Sequence, residues 1–244
     1  MEQTPIKLTK ARVQSLSNGI VEQVLEALFA GKLKPGQFLG TEAQLSETFE
    51  TSRVPIREAL GRLAALGVIN IKTGARGGAT IARGDPEQFA IALAVQFMLI
   101  DASPEEIFDV RIAIESRAAE LAAGRATDED VARLYDLLAA ITTGRATRRA
   151  FTEKILRFHS GIVEVSRSRG LLSLMHAIEH ALLNVHIAAS PLIGEPVATN
   201  FAGLKTIVDQ IAARDPEGAR LAMVDHLVAR QREVIHRLEQ GGGR

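Results

Sequence analysis

The stretch SRVPIREALGRLAALG, residues 52–67, decides the fold of the first third of the chain. Its apolar residues recur at helical spacing. Ser52 stands where a helix would be capped, and Pro55 falls in the first turn, where a missing amide hydrogen costs nothing. Gly67 is a typical C-terminal stop. A capped helix with an apolar face is therefore predicted here.

The neighbours of this helix complete a small domain. A first helix is predicted over residues 17–30, and Thr41 begins a short second helix with Gln44 completing a capping-box pattern. After the third helix, VINIK (68–72) and ATIA (79–82) are predicted strands joined by the turn TGARGG. This order is typical of a helix-turn-helix followed by a β-wing.

The rest of the chain is predicted to be helical, with no convincing strand after residue 85. The predicted helices cover residues 86–100, 104–124, 128–142, 147–165, 171–188, 197–213 and 216–239. The fold class is therefore mainly α. We expect a winged helix-turn-helix domain at 10–83 and an all-α antiparallel helical bundle at 84–240.

The two predicted domains differ in charge, although the formal net charge of the chain is zero. Residues 1–83 carry 11 Lys+Arg against 7 Asp+Glu, whereas the remainder carries 18 against 22 and all six histidines. This asymmetry indicates different partners. The lack of cysteine excludes disulfides and thiolate metal sites. Without a signal core or a membrane-spanning apolar stretch, we expect a cytoplasmic protein that does not bind membranes.

Arg53 and Arg57 are the strongest candidates for chemistry in the first domain. They are four residues apart, so they share a helix face from which arginine can fork onto guanine or clamp a phosphate. Ser52 can also reach a phosphate. At the wing, the tip residues are Thr73, Gly74 and Arg76, and this arginine suits a narrow minor groove. The same spacing also fits an ordinary solvated helix face.

The segment GKLKPGQFLGTEAQLSETFETSRVPIREALGRLAALGVINIKTGARGGATI resembles the winged helix-turn-helix of the GntR family of bacterial transcription regulators. The resemblance implies DNA contacts at Ser52, Arg53, Val54, Arg57, Thr73 and Gly74. With Thr41 and Arg76 these form the candidate DNA-binding set. One departure is Ala43, which stands where many members have arginine. It implies one lost contact and an altered operator preference.

The helical part resembles the FCD ligand-binding domain of the FadR subfamily. The matching segments are IFDVRIAIESRAAELAAGRAT, FHSGIVEVSRSRGLLSL and AARDPEGARLAMVDHL. The resemblance implies a homodimeric regulator, expected to be a repressor, that binds a pseudo-palindromic operator and a small-molecule effector. No catalytic residues and no cofactor are expected.

Many members of that subfamily hold a divalent metal through one aspartate and three histidines. This chain keeps His159 and His226, but Ile155 and Leu204 stand at the other two positions. Two remaining ligands are too few for a first-row metal, so no metal site is expected. A rearranged site using His176 and His180 stays open as an alternative.

The candidate effector-binding residues are Arg111, His159, His180, Asn184 and His226. An arginine in the bundle could fork onto a carboxylate ligand, so a small carboxylate is the expected effector. Alternatively, Arg111 simply pairs with Glu115 one turn later. Since histidine titrates near neutrality, anion affinity is expected to weaken as pH rises through that range.

Two other function classes compete with the regulator. One is a helical-bundle enzyme, a lyase or hydrolase that uses the histidine cluster. The other is a metal sensor. The basic first domain with its recognition-helix pattern favours the regulator, because a lyase has no need of a recognition helix.

Overall fold

The computed structural model describes residues 13–74, 77–84, 86–142, 147–189 and 198–241. Side chains are described over residues 16–74, 77–84, 89–141, 147, 149–179 and 201–239. The chain divides into two compact units, Met1–Asp85 and Pro86–Arg244, which are described in turn.

The first unit combines three helices with a small sheet. Its elements are α1 (Val13–Phe29), β1 (Phe38–Gly40), α2 (Glu42–Thr48), α3 (Arg53–Ala65), β2 (Ile69–Lys72) and β3 (Gly78–Ile81). The sheet is antiparallel in the order β1–β3–β2, with Ile69 opposite Ile81 and Lys72 opposite Gly78. The predicted winged helix-turn-helix is confirmed.

Strand β1 was not predicted from the sequence. It has three residues, FLG, which are too few to show the alternation that marks a strand. It forms because β3 offers an edge, on which Phe38 pairs with Thr80. The Phe38 ring lies so close to Gly78 that a Cβ there would stand 2.7 Å from it. The third strand is thus a product of tertiary contact.

The two predicted helix caps differ in the structure. Thr41 makes the full capping box of α2: its hydroxyl accepts from the Gln44 amide at 3.2 Å, and its own amide donates to the Gln44 side chain at 2.9 Å. Ser52 stands at the N-cap of α3, but its side chain makes no capping hydrogen bond. The expectation that its hydroxyl caps the helix was therefore wrong.

Helix α3 separates a buried face from an exposed one. Ile56 and Leu63 are buried and pack in the same core as Ile69 and Ile81 of the sheet. Burying a side chain of this size contributes about 1.5–3 kcal/mol. This core fixes which side of α3 faces solvent.

The second unit is a bundle of helices, as predicted. Its elements are α4 (Pro86–Leu99), α5 (Pro104–Arg125), α6 (Asp128–Thr142), α7 (Arg148–Val165), α8 (Arg169–Ala189), α9 (Ala198–Ala212) and α10 (Pro216–Gly241). Helix α5 contacts α7, α8, α9 and α10, most extensively α10. In the part of the chain that the structure describes, no helix is long and apolar enough to cross a membrane.

Candidate nucleic-acid interface and buried polar cluster

The exposed face of α3 carries the predicted recognition residues. Arg53, Val54 and Arg57 are exposed, whereas Pro55 and Ile56 between them are buried. Ser52, also exposed, precedes them. The helical repeat therefore presents these side chains to solvent while the rest of the turn anchors the helix.

A groove brings part of the predicted DNA-binding set together. Thr41, Arg53, Arg57, Thr73 and Gly74 all line it, which joins the start of α2, the face of α3 and the wing. Gly74 has a φ of 103°, a conformation that favours glycine at the wing tip. Ser52 and Val54 do not line this groove, and Arg76 lies outside the described residues.

Two charged residues of the groove were missing from the predicted set. Lys72 is the last residue of β2, and Glu42 is the first residue of α2. The Arg57 Nε donates to Glu42 Oε2 at 2.7 Å. The two residues are 15 positions apart, so helical spacing could not reveal the pair.

A separate polar cluster lies inside the bundle, centred on Glu115. Its Oε1 lies 2.5 Å from the Arg111 Nε on the same helix, and its Oε2 lies 2.5 Å from the His159 Nδ1 on α7. These three side chains are at most 1% exposed. The Arg111 guanidinium also lies 5.6 Å from the centre of the Phe108 ring. Arg111 therefore pairs with Glu115, the alternative that the sequence left open.

The second histidine joins this cluster from α10. The rings of His159 and His226 stack with centres 5.4 Å apart. Gly203 of α9 makes room for His226, because a Cβ there would stand 2.9 Å from its Nδ1. Arg230, one turn after His226, is buried and pairs with Glu233 at 2.7 Å.

Burial and charge set the protonation of the cluster. Burial would raise the pKa of Glu115, but the charge of Arg111 and the contact with His159 outweigh it and lower that pKa from 4.5 to about 2. Burial lowers the pKa of His159, and it lowers the pKa of His226 well below the ordinary histidine value. Both imidazoles are therefore neutral at neutral pH. The expected pH dependence of anion binding moves to the acid side of neutrality.

The residues at the two lost metal positions belong to the apolar core. Ile155 is 5% exposed and Leu204 is fully buried, and both lie in the main hydrophobic cluster of the bundle. No group of three or more His, Asp or Glu side chains that could hold a metal occurs among the described residues. The residues present do not fit the metal that the family resemblance implies.

The remaining predicted effector residues fall on α8. His176 is half-buried there, and no metal-binding group of described residues includes it. The side chains of His180 and Asn184 lie outside the described residues. The structure thus brings Arg111, His159 and His226 together and leaves those two positions as predictions.

Comparisons with known proteins place this arrangement in a family. The model of the FCD domain matches residues 106–229, and the model of bacterial regulatory proteins of the gntR family matches residues 16–78. The chain belongs to the GntR family. This regulator is 27% identical over 201 residues to the HTH-type transcriptional regulator LutR of Bacillus subtilis, with 81% of this chain and 91% of that protein covered.

A second relative agrees with that assignment, and a solved structure shares the fold. The HTH-type transcriptional repressor NanR of Cronobacter sakazakii is 27% identical, with 88% of this chain and 83% of that protein covered. A solved structure, the GntR of Streptococcus agalactiae, matches with a TM-score of 0.59 and 23% identity over 91% of this chain and 99% of that one. The regulator is not an enzyme, so the lyase or hydrolase alternative was wrong.

Replacing Glu115 by Gln tests the cost of breaking the buried cluster. We expect a loss of about 3–5 kcal/mol in the free energy of unfolding, because the buried charge of Arg111 would lose the carboxylate that pairs with it. Urea unfolding followed by circular dichroism measures it. Since the pKa of Glu115 is lowered to about 2, the stabilisation is present above pH 4.5 and is lost as pH falls towards 2.

The control is Glu153→Gln, which breaks an Arg149–Glu153 pair of the same spacing on the surface, with side chains 66% and 52% exposed. Its loss should stay below about 1 kcal/mol. Equal losses in the two variants would contradict a special role for the buried pair.

Metal analysis tests the expectation that the bundle holds no metal. Because Ile155 and Leu204 offer no donor atoms, the regulator purified without chelator should carry well under one transition metal per chain. Inductively coupled plasma mass spectrometry measures this content. Near-stoichiometric zinc or nickel that disappears in His159→Ala would contradict the expectation and revive the metal-sensor alternative.

Proposed function

We propose that this regulator is a ligand-responsive repressor of the FadR subfamily that acts in the cytoplasm. As a homodimer it binds a pseudo-palindromic double-stranded operator through the groove of its first unit. The observation that carries the proposal is the convergence of Thr41, Arg53, Arg57, Lys72 and Thr73 on that groove. Cationic and hydroxyl side chains on a helix face and a wing suit phosphates and base edges. The similarity to NanR, a transcriptional repressor, supports repression as the effect on transcription.

The DNA interface is tested by Arg57→Ala. We expect a loss of about 1–3 kcal/mol at a selected operator, because a base-directed arginine would be gone. Fluorescence anisotropy at fixed salt measures the affinity, since phosphate contacts make it salt-dependent. Arg149→Ala in the bundle, an exposed arginine on α7, is the control and should bind normally. Unchanged affinity and sequence preference in Arg57→Ala would refute the assignment.

An apolar stripe on α4 that is exposed among the described residues supports the homodimer. On α4, Leu93 and Phe97 pack against the bundle core, whereas Ile91, Val95, Met98 and Leu99 are exposed by 48–78%. These four recur at helical spacing on one face of α4. From Phe89 to Ile100 the sequence has no charged residue. An uncharged stripe can pair with itself across a twofold axis, and two chains would supply the two DNA-binding units that a palindrome requires.

Met98→Glu tests this surface by introducing a charge into the proposed interface. We expect the dimer to weaken at least tenfold, because each protomer would bury a carboxylate opposite its symmetry mate. Sedimentation equilibrium gives the dissociation constant. Leu221→Glu on α10 changes a side chain that is 46% exposed and should leave the dimer intact. A monomeric wild type, or a dimer that tolerates Met98→Glu, would refute the interface.

The buried cluster supports a small carboxylate as effector. The charges of two guanidinium groups, Arg111 and Arg230, act on the histidines. The partner of Arg111 is the fully buried Glu115, and the partner of Arg230 is the more exposed Glu233. An ionised carboxylate 2.5 Å from Nδ1 favours the neutral tautomer of His159 that has its proton on Nδ1. Its buried Nε2 has no hydrogen-bond partner among the described residues and can accept a hydrogen bond from a donor group of the ligand, such as a hydroxyl, but not from its carboxylate. A ligand carboxylate would share the Arg111 guanidinium with Glu115.

The effector site is tested with Arg111→Lys, which keeps a charge beside Glu115 but removes the planar fork. A thermal-shift screen of small carboxylates identifies a ligand, and calorimetry compares the variants. We expect affinity to fall about 10–100-fold, because a charge-assisted hydrogen bond contributes roughly 1.5–3 kcal/mol. The ligand must also alter operator binding, since only differential affinity for two states can regulate. If Arg111→Lys binds the carboxylate as tightly as the wild type, Arg111 serves only as the ion-pair partner of Glu115 and does not bind the effector.

A further inference from the structure

Glu42 is an acidic residue in the groove that we propose binds DNA. Among the described residues that line the groove it is the only acidic one, and its side chain is 39% exposed. A carboxylate close to phosphates opposes binding. Its presence is therefore a cost to overall affinity that some other contribution must offset.

The geometry of the Arg57–Glu42 pair indicates that contribution. Glu42 Oε2 accepts from the Nε of Arg57 at 2.7 Å, and Nε lies on the side edge of the guanidinium. The terminal edge, formed by the two Nη atoms, stays on the far side of the same planar group. That terminal pair of donors matches the O6 and N7 acceptors of guanine.

Pairing at Nε also restrains a long side chain that would otherwise sample many rotamers. The Arg57 side chain is 66% exposed, so few packing contacts hold it in place. A carboxylate at its side edge limits this freedom before DNA arrives, and it partly neutralises a charge that would otherwise be drawn to any phosphate. Both effects favour reading a base over clamping the backbone.

We propose that Glu42 is a positioning residue that turns the terminal edge of Arg57 toward a guanine, and so sets the sequence specificity of the regulator. This inference rests on the proposed DNA-binding function. Glu42 touches the arginine and acts on the base through it. The pair is exposed, so its removal should change stability very little.

The test is selection from a randomised double-stranded DNA library by the full-length protein, followed by sequencing. Wild type, Arg57→Lys, Glu42→Gln and Glu47→Gln are compared. Glu47→Gln is the matched control, because it removes the same charge from the exposed side of the same helix but does not line the groove. The base pair read by Arg57 is the one whose preference relaxes in Arg57→Lys.

We expect Glu42→Gln to relax the preference for guanine at that same base pair by about tenfold and to leave the other positions unchanged. Its affinity for random-sequence duplex should rise, with a steeper salt dependence than in Glu47→Gln if Arg57 now clamps a phosphate. Together these results would establish the positioning role.

Three outcomes would overturn the proposal. Unchanged preference at that base pair would mean that Glu42 does not position Arg57. Relaxation at a different base pair would mean that Glu42 reads a base itself, as a carboxylate can accept from cytosine N4. If neither the wild type nor Glu42→Gln selects any sequence, the proposed DNA-binding function itself is wrong. This outcome differs from a failure of the positioning role alone, in which the wild type still selects an operator.

Discussion

The carboxylate of Glu115 is the constraint on which the helical bundle depends. It is fully buried, and burial of an isolated charge would be very costly. It is stable there because one oxygen lies against Arg111 on its own helix and the other against His159 on α7. This arrangement links α5 to α7, and α5 also contacts α8, α9 and α10.

Apolar side chains surround this polar cluster and help to determine its protonation. Ile155 and Leu204, which stand where the family resemblance implies metal ligands, belong to the hydrophobic core of the bundle. Desolvation keeps both histidines neutral, while Arg111 and Arg230 supply positive charge. A ligand at such a centre would be bound by fixed cations and a neutral hydrogen-bond acceptor. Effector recognition would then be insensitive to pH changes above neutrality.

The first unit depends on the division of α3 into two faces. Ile56 and Leu63 hold the helix against the sheet, so that Arg53 and Arg57 project into the groove. Glu42 then adds a contact from a separate helix to one of these arginines. Helix α3 thus carries a buried apolar face and an exposed polar face. This combination suits a module whose affinity comes from phosphates and whose specificity comes from base edges.

The sequence by itself determined the order of elements, because each helix and hairpin is marked locally. The capping box at Thr41, the glycine at residue 67 and the apolar spacing in α3 depend on neighbours within a few residues. The family motifs likewise predicted Arg53 and Arg57 as DNA contacts, and both are exposed in the groove. These signals are short-range, so they could be found without a structure.

Only the tertiary structure decided the pairings between distant residues. Strand β1 forms because β3 offers it an edge, and Arg57 meets Glu42 because α2 and α3 cross in space. The spacing of Arg111 and Glu115 allowed both an internal pair and a free arginine. The choice between them came with burial and with the approach of His159 from α7. Long-range contacts and desolvation are properties of the packed molecule, and no local pattern in the sequence contains them.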